Sequence, residues 1–168
     1  MRNHHKYIFI PLLTLMLVSC NSFLNTSSSQ TTNYEISDKV TVGSLQYVVE
    51  SVEDTDFIGN AILNKTTDYN FAIVSMTVYN MSTSEISLYT DMIAYHIGEN
   101  VYEPNSAGMY VEDGFYVLLS IGAKLRKHIN IVYEVLRKHT AGDYLEVFSQ
   151  NKTESAKIYL RETHKQEE

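Results

Sequence analysis

Few side chains in this sequence are equipped for chemistry, and their placement narrows what they can do. Cys20 is the only thiol in 168 residues, so no internal disulfide can form. Its remaining uses are as a nucleophile, a metal ligand or a site of modification. Four histidines follow it, His96, His128, His139 and His164, each on a different segment. Nucleophilic catalysis needs a base held beside the nucleophile, and neither this scatter nor any Gly-x-Ser-x-Gly elbow supplies one. No catalytic residue and no cofactor are expected. Glu53, Asp54 and Asp56 crowd one stretch that reads as a loop, and hard cations favour such oxygen clusters. The stretch lacks the glycine and the spaced further ligands of an EF-hand, so a solvated acidic turn is the plainer reading and no metal is expected.

Two other groups suit recognition better than catalysis. The tetrapeptide LRKH occurs at 125–128 and again at 136–139, so residues 124–139 hold five Lys and Arg against one Glu. If both copies reach one sheet edge, Arg126, His128, Arg137 and Lys138 form a positive surface for an anionic partner such as teichoic acid or lipid headgroups. Edge charges also discourage sheet-to-sheet aggregation, and that plainer role explains the same residues. The segment VYEPNSAGMYVEDGFY (101–116) carries Tyr102, Tyr110 and Tyr116, which can offer rigid amphipathic contact area. Tyrosines packed on a domain rim with wet hydroxyls would look the same in sequence.

The N-terminus places Cys20 in context. Arg2 and Lys6 make a basic start, and YIFIPLLTLMLV (7–18) is apolar but shorter than the ~20 residues that a transmembrane helix needs. Leu17-Val18-Ser19-Cys20 resembles the bacterial lipobox at every position of that short motif. The resemblance implies that residues 1–19 are a cleaved signal peptide, that Cys20 carries acyl chains, and that the membrane is the first partner. Lipidation would also block Cys20 as a nucleophile. Cleavage leaves 11 Lys and Arg against 20 Asp and Glu, a balance that argues against nucleic acid as a partner.

The elements that must position these residues are strands. Residues 20–36 hold the lipidated cysteine and a Ser/Thr/Asn-rich stretch that reads as a flexible tether. From 37 to 161 the apolar period is two. Ala72, Val74, Met76 and Val78 share one face of FAIVSMTVYN (71–80). Leu125, Ile129, Ile131 and Tyr133 do so in KLRKHINIVYEV (124–135), and SLQYVVESV (44–52), DYLEVF (143–148) and AKIYL (156–160) continue the pattern. SLYTDMIAYHI (87–97) is less regular, as a bulge near Asp91 would make it. Glycine-centred turns separate the runs, and residues 162–168 form a polar tail. Seven to nine short strands with one buried face each predict an all-β, two-sheet sandwich.

The order of these pieces resembles the bacterial DUF4352 domain over about residues 37–160. Gly43, Ile58-Gly59-Asn60, Val78 with Asn80, Tyr102-Glu103-Pro104 and Gly122 carry the likeness. It implies an immunoglobulin-like, telokin-like sandwich in a secreted or lipid-anchored protein, and it implies no activity. One departure stands out: Leu136-Arg137-Lys138 occupies the corner where the family often has proline. The expectation is a lipid-anchored, non-enzymatic interaction module on the extracytoplasmic side of the cell membrane. Its partner would be a protein or an anionic envelope polymer. A small-ligand- or envelope-polymer-binding lipoprotein and, with less support, a secreted hydrolase are the alternatives.

Overall fold

Residues that alternate between apolar and polar can satisfy both their backbone and their apolar face only by pairing strands and stacking the sheets. The computed structural model describes residues 33–160, and there it takes that solution. Twelve strands form: β1 (Asn33–Glu35), β2 (Val40–Val42), β3 (Leu45–Gly59), β4 (Asn64–Asn80), β5 (Ile86–Tyr89), β6 (Ile93–Ile97), β7 (Asn100–Tyr102), β8 (Gly114–Phe115), β9 (Leu118–Ile121), β10 (Arg126–Val135), β11 (Tyr144–Phe148) and β12 (Ser155–Tyr159). Two five-stranded sheets, ordered β1-β12-β11-β6-β7 and β2-β3-β4-β10-β8, make the sandwich, and β5 pairs with β9 as a separate ribbon. The all-β sandwich that the periodicity predicts is therefore present.

The core lies between the two sheets. Ala72, Val74, Met76 and Val78 of β4 are fully buried, as their spacing predicts. They meet Ile129, Ile131 and Tyr133 of β10 and Leu145 and Val147 of β11 in one continuous cluster. Tyr95 of β6 and Tyr133 of β10 bring the sheets together edge to face, with ring centroids 5.2 Å apart. The Tyr133 hydroxyl meets no donor or acceptor of the protein among the described residues. Burial also pushes its pKa well above the ordinary value, so it stays protonated. An orphaned buried hydroxyl contributes nothing to stability, so Tyr133→Phe should leave stability unchanged or raise it by up to ~1 kcal/mol. Equilibrium urea unfolding tests this, and a loss of that size instead would mean that the hydroxyl is bonded.

Four sequence expectations need correction. Among the described residues the strands number twelve rather than seven to nine, and β3 and β4 are 15 and 17 residues long. Glu53, Asp54 and Asp56 lie within β3, not on a loop. The distal hairpin is wet on both faces for much of its length, so the period-two apolar signal fades there although pairing continues to Gly59↔Asn64. At residues 87–97 the irregularity is a full 3-10 turn, Thr90–Met92, rather than a bulge. It sends β5 to the ribbon with β9 and β6 to the sheet with β11. Leu125 also leaves the apolar row assigned to it, being 58% exposed.

Several residues that carry the family likeness have structural jobs. Gly59 has φ +101°, and a Cβ there would lie 2.2 Å from the Leu63 carbonyl oxygen, so the hairpin turn requires glycine. Asn60 accepts the backbone N–H groups of Ile62 and Leu63 within that turn. Asn80 is fully buried; its amide donates to the carbonyls of Ser84 and Ile121, tying the end of β4 to the end of β9.

Candidate binding surface on the outer sheet face

The outward side of β3, β4 and β10 divides into two halves. One half is covered: the 3-10 segment Ser106–Tyr110 packs Ala107 against Ile58, Phe71 and Val132, with Tyr110 beside them. The other half stays open, and strand register arranges it in rows. Gln46 pairs with Tyr79 and Tyr79 with Arg126; in the next row Val48 pairs with Thr77 and Thr77 with His128. Lys39, Gln46, Val48, Thr77, Tyr79 and Arg126 line an open cleft of about 290 Å³ on this half.

The polar groups bordering the cleft are already committed. Thr77 Oγ1 donates to Glu50 at 2.7 Å, and His128 Nδ1 lies 3.4 Å from the same carboxylate. Ser75 Oγ donates to Asn130 at 2.6 Å. The cations differ from them: among the described residues neither the Lys39 ammonium nor the Arg126 guanidinium has an ion-pair or hydrogen-bond partner. The half-buried Tyr79 ring lies in the row that ends at Arg126.

The two LRKH copies do not form one surface. The first lies mostly in the opening residues of β10 and the second follows its last residue, so the length of the strand, on the order of 30 Å at ~3.3 Å per residue, sets them apart. The second copy is built into a corner. Arg137 makes two 2.8 Å bonds to Asp143, whose carboxylate is 2% exposed, and the Thr140 N–H donates to it at 2.7 Å. Burial alone would raise the Asp143 pKa, but the bonds from Arg137 and Thr140 outweigh it and leave the carboxyl below its ordinary value. The corner where the family resemblance anticipates proline is thus tied by an ion pair instead.

Beside it, the Asp54 carboxylate meets His139 Nδ1 and Asn70 Nδ2, each at 2.5 Å, and so clamps the loop to the β3–β4 hairpin. Lys138 is exposed and makes no bond from its side chain among the described residues. Arg137 and His139 are therefore structural, and the positive surface expected from both copies reduces to the first.

The tyrosines also separate. Tyr102 packs against the main core from β7, and Tyr110, at the end of the 3-10 segment, packs against the Ile58, Phe71 and Val132 cluster. Tyr116 remains 42% exposed and shares a notch of about 350 Å³ with Lys127 and His128 at the edge of β10. Lys127 falls on the same side of β10 as buried Ile129, an inward charge of the kind that keeps sheet edges from pairing. That notch fits edge protection better than recognition. Cys20, and His164 with it, lies outside the described residues. Glu53 and Asp56 are exposed, and among the described residues no group of three or more His, Cys, Asp or Glu could hold a metal ion. Lys39, Gln46 and Tyr79 were not anticipated as site residues; only the strand register brings them together.

Residues 34–156 match the family described as a domain of unknown function, DUF4352. The chain belongs to DUF4352. Solved structures share its sandwich at low identity. The yjhA protein of Bacillus subtilis is 11% identical with a TM-score of 0.56, over 76% of this chain and 99% of that one. MPT63, a secreted protein from Mycobacterium tuberculosis, is 8% identical with a TM-score of 0.56, over 80% of this chain and 100% of that one. A third, ycdA of Bacillus subtilis, described as a putative lipoprotein, is 12% identical with a TM-score of 0.50, over 74% of this chain but only 39% of that one. Such identities show a common fold and no more. No curated protein matches the sequence. Membership in a domain family of unknown function assigns no chemistry to the outer face.

Proposed function

We propose that this DUF4352 protein is a lipid-anchored, non-enzymatic interaction module on the extracytoplasmic side of the cell membrane. Acyl chains on Cys20 hold it there, and the sandwich meets its partner through its outer surface. The observation that carries this reading is the contrast between a filled interior and an uncommitted outer face. The inter-sheet core is packed with residues at 0–8% exposure, whereas among the described residues Lys39 and Arg126 have no partner and border a surface cleft. Recognition through surface side chains suits that division better than enclosure of a small ligand, which takes a concave site that buries most of its surface. A secreted hydrolase has less support. His96, His128 and His139 face Glu146, Glu50 and Asp54 on separate parts of the molecule, so no two of them share a site. The secreted and lipoprotein descriptions of MPT63 and ycdA agree with the proposed location.

Chemical crosslinking on intact cells tests the reading. The anchored protein should give a discrete adduct that a competing excess of added unlabelled protein removes. Recovery of the uncrosslinked protein alone, across crosslinkers of several lengths, would overturn the interaction role.

A further inference from the structure

We infer that the open half of the outer face is a binding site for an extended polyanion with repeating phosphodiester groups, a chain polymer of the envelope rather than a lipid headgroup. The inference rests on the module reading above and adds the site and the chemistry of the partner. Its basis is the juxtaposition of Lys39 and Arg126 across the cleft that also holds Gln46, Thr77 and Tyr79.

Three features select that ligand. The two cations lack any counter-charge of the protein among the described residues, in a chain that carries 20 Asp and Glu. Unpaired cations beside a cleft in an acidic protein localise attraction for an anion there. Second, Lys39 and Arg126 stand on opposite banks with β3 and β4 between them. That places their backbones on the order of 15 Å apart at ~4.8 Å per strand. A single small anion satisfies one bank, whereas a chain with regularly spaced charges lying across the strands satisfies both. Third, the floor between them is Tyr79, Val48 and Gln46, whose amide donates only a long 3.4 Å bond to Thr41, so it offers an apolar surface to the carbon backbone of such a chain and a hydrogen-bonding group to its oxygens.

A bilayer fits less well. Recognition of anionic lipid at a membrane surface draws on clusters of ~4–8 Lys and Arg, and two exposed cations on opposite banks of a cleft make no such cluster. The Glu50 carboxylate at the border is engaged by Thr77 and His128, so it sets one edge of the site without closing it.

The test uses the mature lipidated protein in phosphatidylcholine vesicles, with poly(glycerol phosphate) as the probe and neutral dextran as the control. The polymer should bind, dextran should not, and affinity should fall as salt rises. Lys39→Glu with Arg126→Glu should weaken binding by roughly tenfold or more, because both attractive contacts become repulsive. Lys39→Gln with Arg126→Gln guards against a folding defect: it should lose less, and both variants should melt with the parent because the substituted side chains are exposed and unpaired. Tyr79→Ala should weaken binding without changing its salt dependence. Equal affinity in the parent and the charge-reversed variant would overturn the inference, as would equal binding of dextran. Displacement of the polymer when a fifth of the vesicle lipid is replaced by phosphatidylglycerol would overturn it in favour of a headgroup. If the charge-reversed protein still gives the parent's adduct on intact cells, the module reading stands and this site fails.

Discussion

An Asp143→Ala chain should unfold about 2–3 kcal/mol more readily than its parent at neutral pH. The carboxylate accepts two bonds from Arg137, one from the Thr140 N–H and one from the Thr140 hydroxyl, and it does so at 2% exposure. Its removal strands the Thr140 N–H and frees the corner between β10 and β11. Arg137 is 44% exposed and can turn to water, so the cost stays below that of a cation trapped in the interior. The pH dependence fixes the cause. The folded-state pKa of Asp143 is lowered from 3.8, so its ionised form contributes stability above that value. The contribution is lost as pH falls through the depressed folded value. Parent and variant should therefore differ fully at pH 7, and the difference should begin to shrink only below about pH 3.8 and close below the depressed folded value, as measured by urea unfolding across pH. A difference that persists unchanged at pH 2 would mean that packing, not the charged pair, holds the corner.

This corner also shows what a sequence can and cannot disclose. Residues 71–80 were legible because one face is buried along the whole run, so Ala72, Val74, Met76 and Val78 announce both strand and core. Asp54 and Asp143 were not. Each looks like part of a hydrophilic turn, and only its tertiary partner, His139 for one and Arg137 for the other, makes it a buried structural acid. The repeated LRKH shows the same limit from the other side. Identical tetrapeptides at the two ends of β10 take opposite roles because one opens onto an uncovered sheet face while the other meets Asp54 and Asp143. The candidate cleft was half legible. Outward-facing positions such as Gln46, Tyr79 and Arg126 follow from strand parity, but parity does not say which outward residues stand side by side. That needs the register Gln46↔Tyr79↔Arg126, a relation between segments distant in sequence. Lys39, just before β2, joins them only through the β2–β3 pairing that begins at Val40↔Tyr47.

Cys20→Ala should abolish incorporation of labelled palmitate and leave the precursor uncut. The lipobox reading makes the thiol the point at which a diacylglycerol is attached, and cleavage before residue 20 depends on that attachment. Two or more acyl chains hold a protein firmly at a membrane, since each buried methylene contributes about 0.8 kcal/mol while one chain alone is marginal. The mature chain has little else to hold it there, with 20 Asp and Glu against 11 Lys and Arg. The parent should accordingly resist extraction by high salt and yield to detergent. Fractionation alone would mislead for the variant, because the uncut chain keeps the apolar run YIFIPLLTLMLV and can remain with the membrane through it. Label and mass decide the matter: no palmitate, and a precursor heavier than the parent's polypeptide by residues 1–19. Retained label, or cleavage that proceeds without the thiol, would sink the lipobox reading. It would leave the binding surface on β3, β4 and β10 untouched, because none of its residues depends on how the chain is held. The reverse also applies, since loss of polymer binding in the charge-reversed variant should not alter palmitate incorporation. Anchor and surface therefore stand or fall by separate measurements.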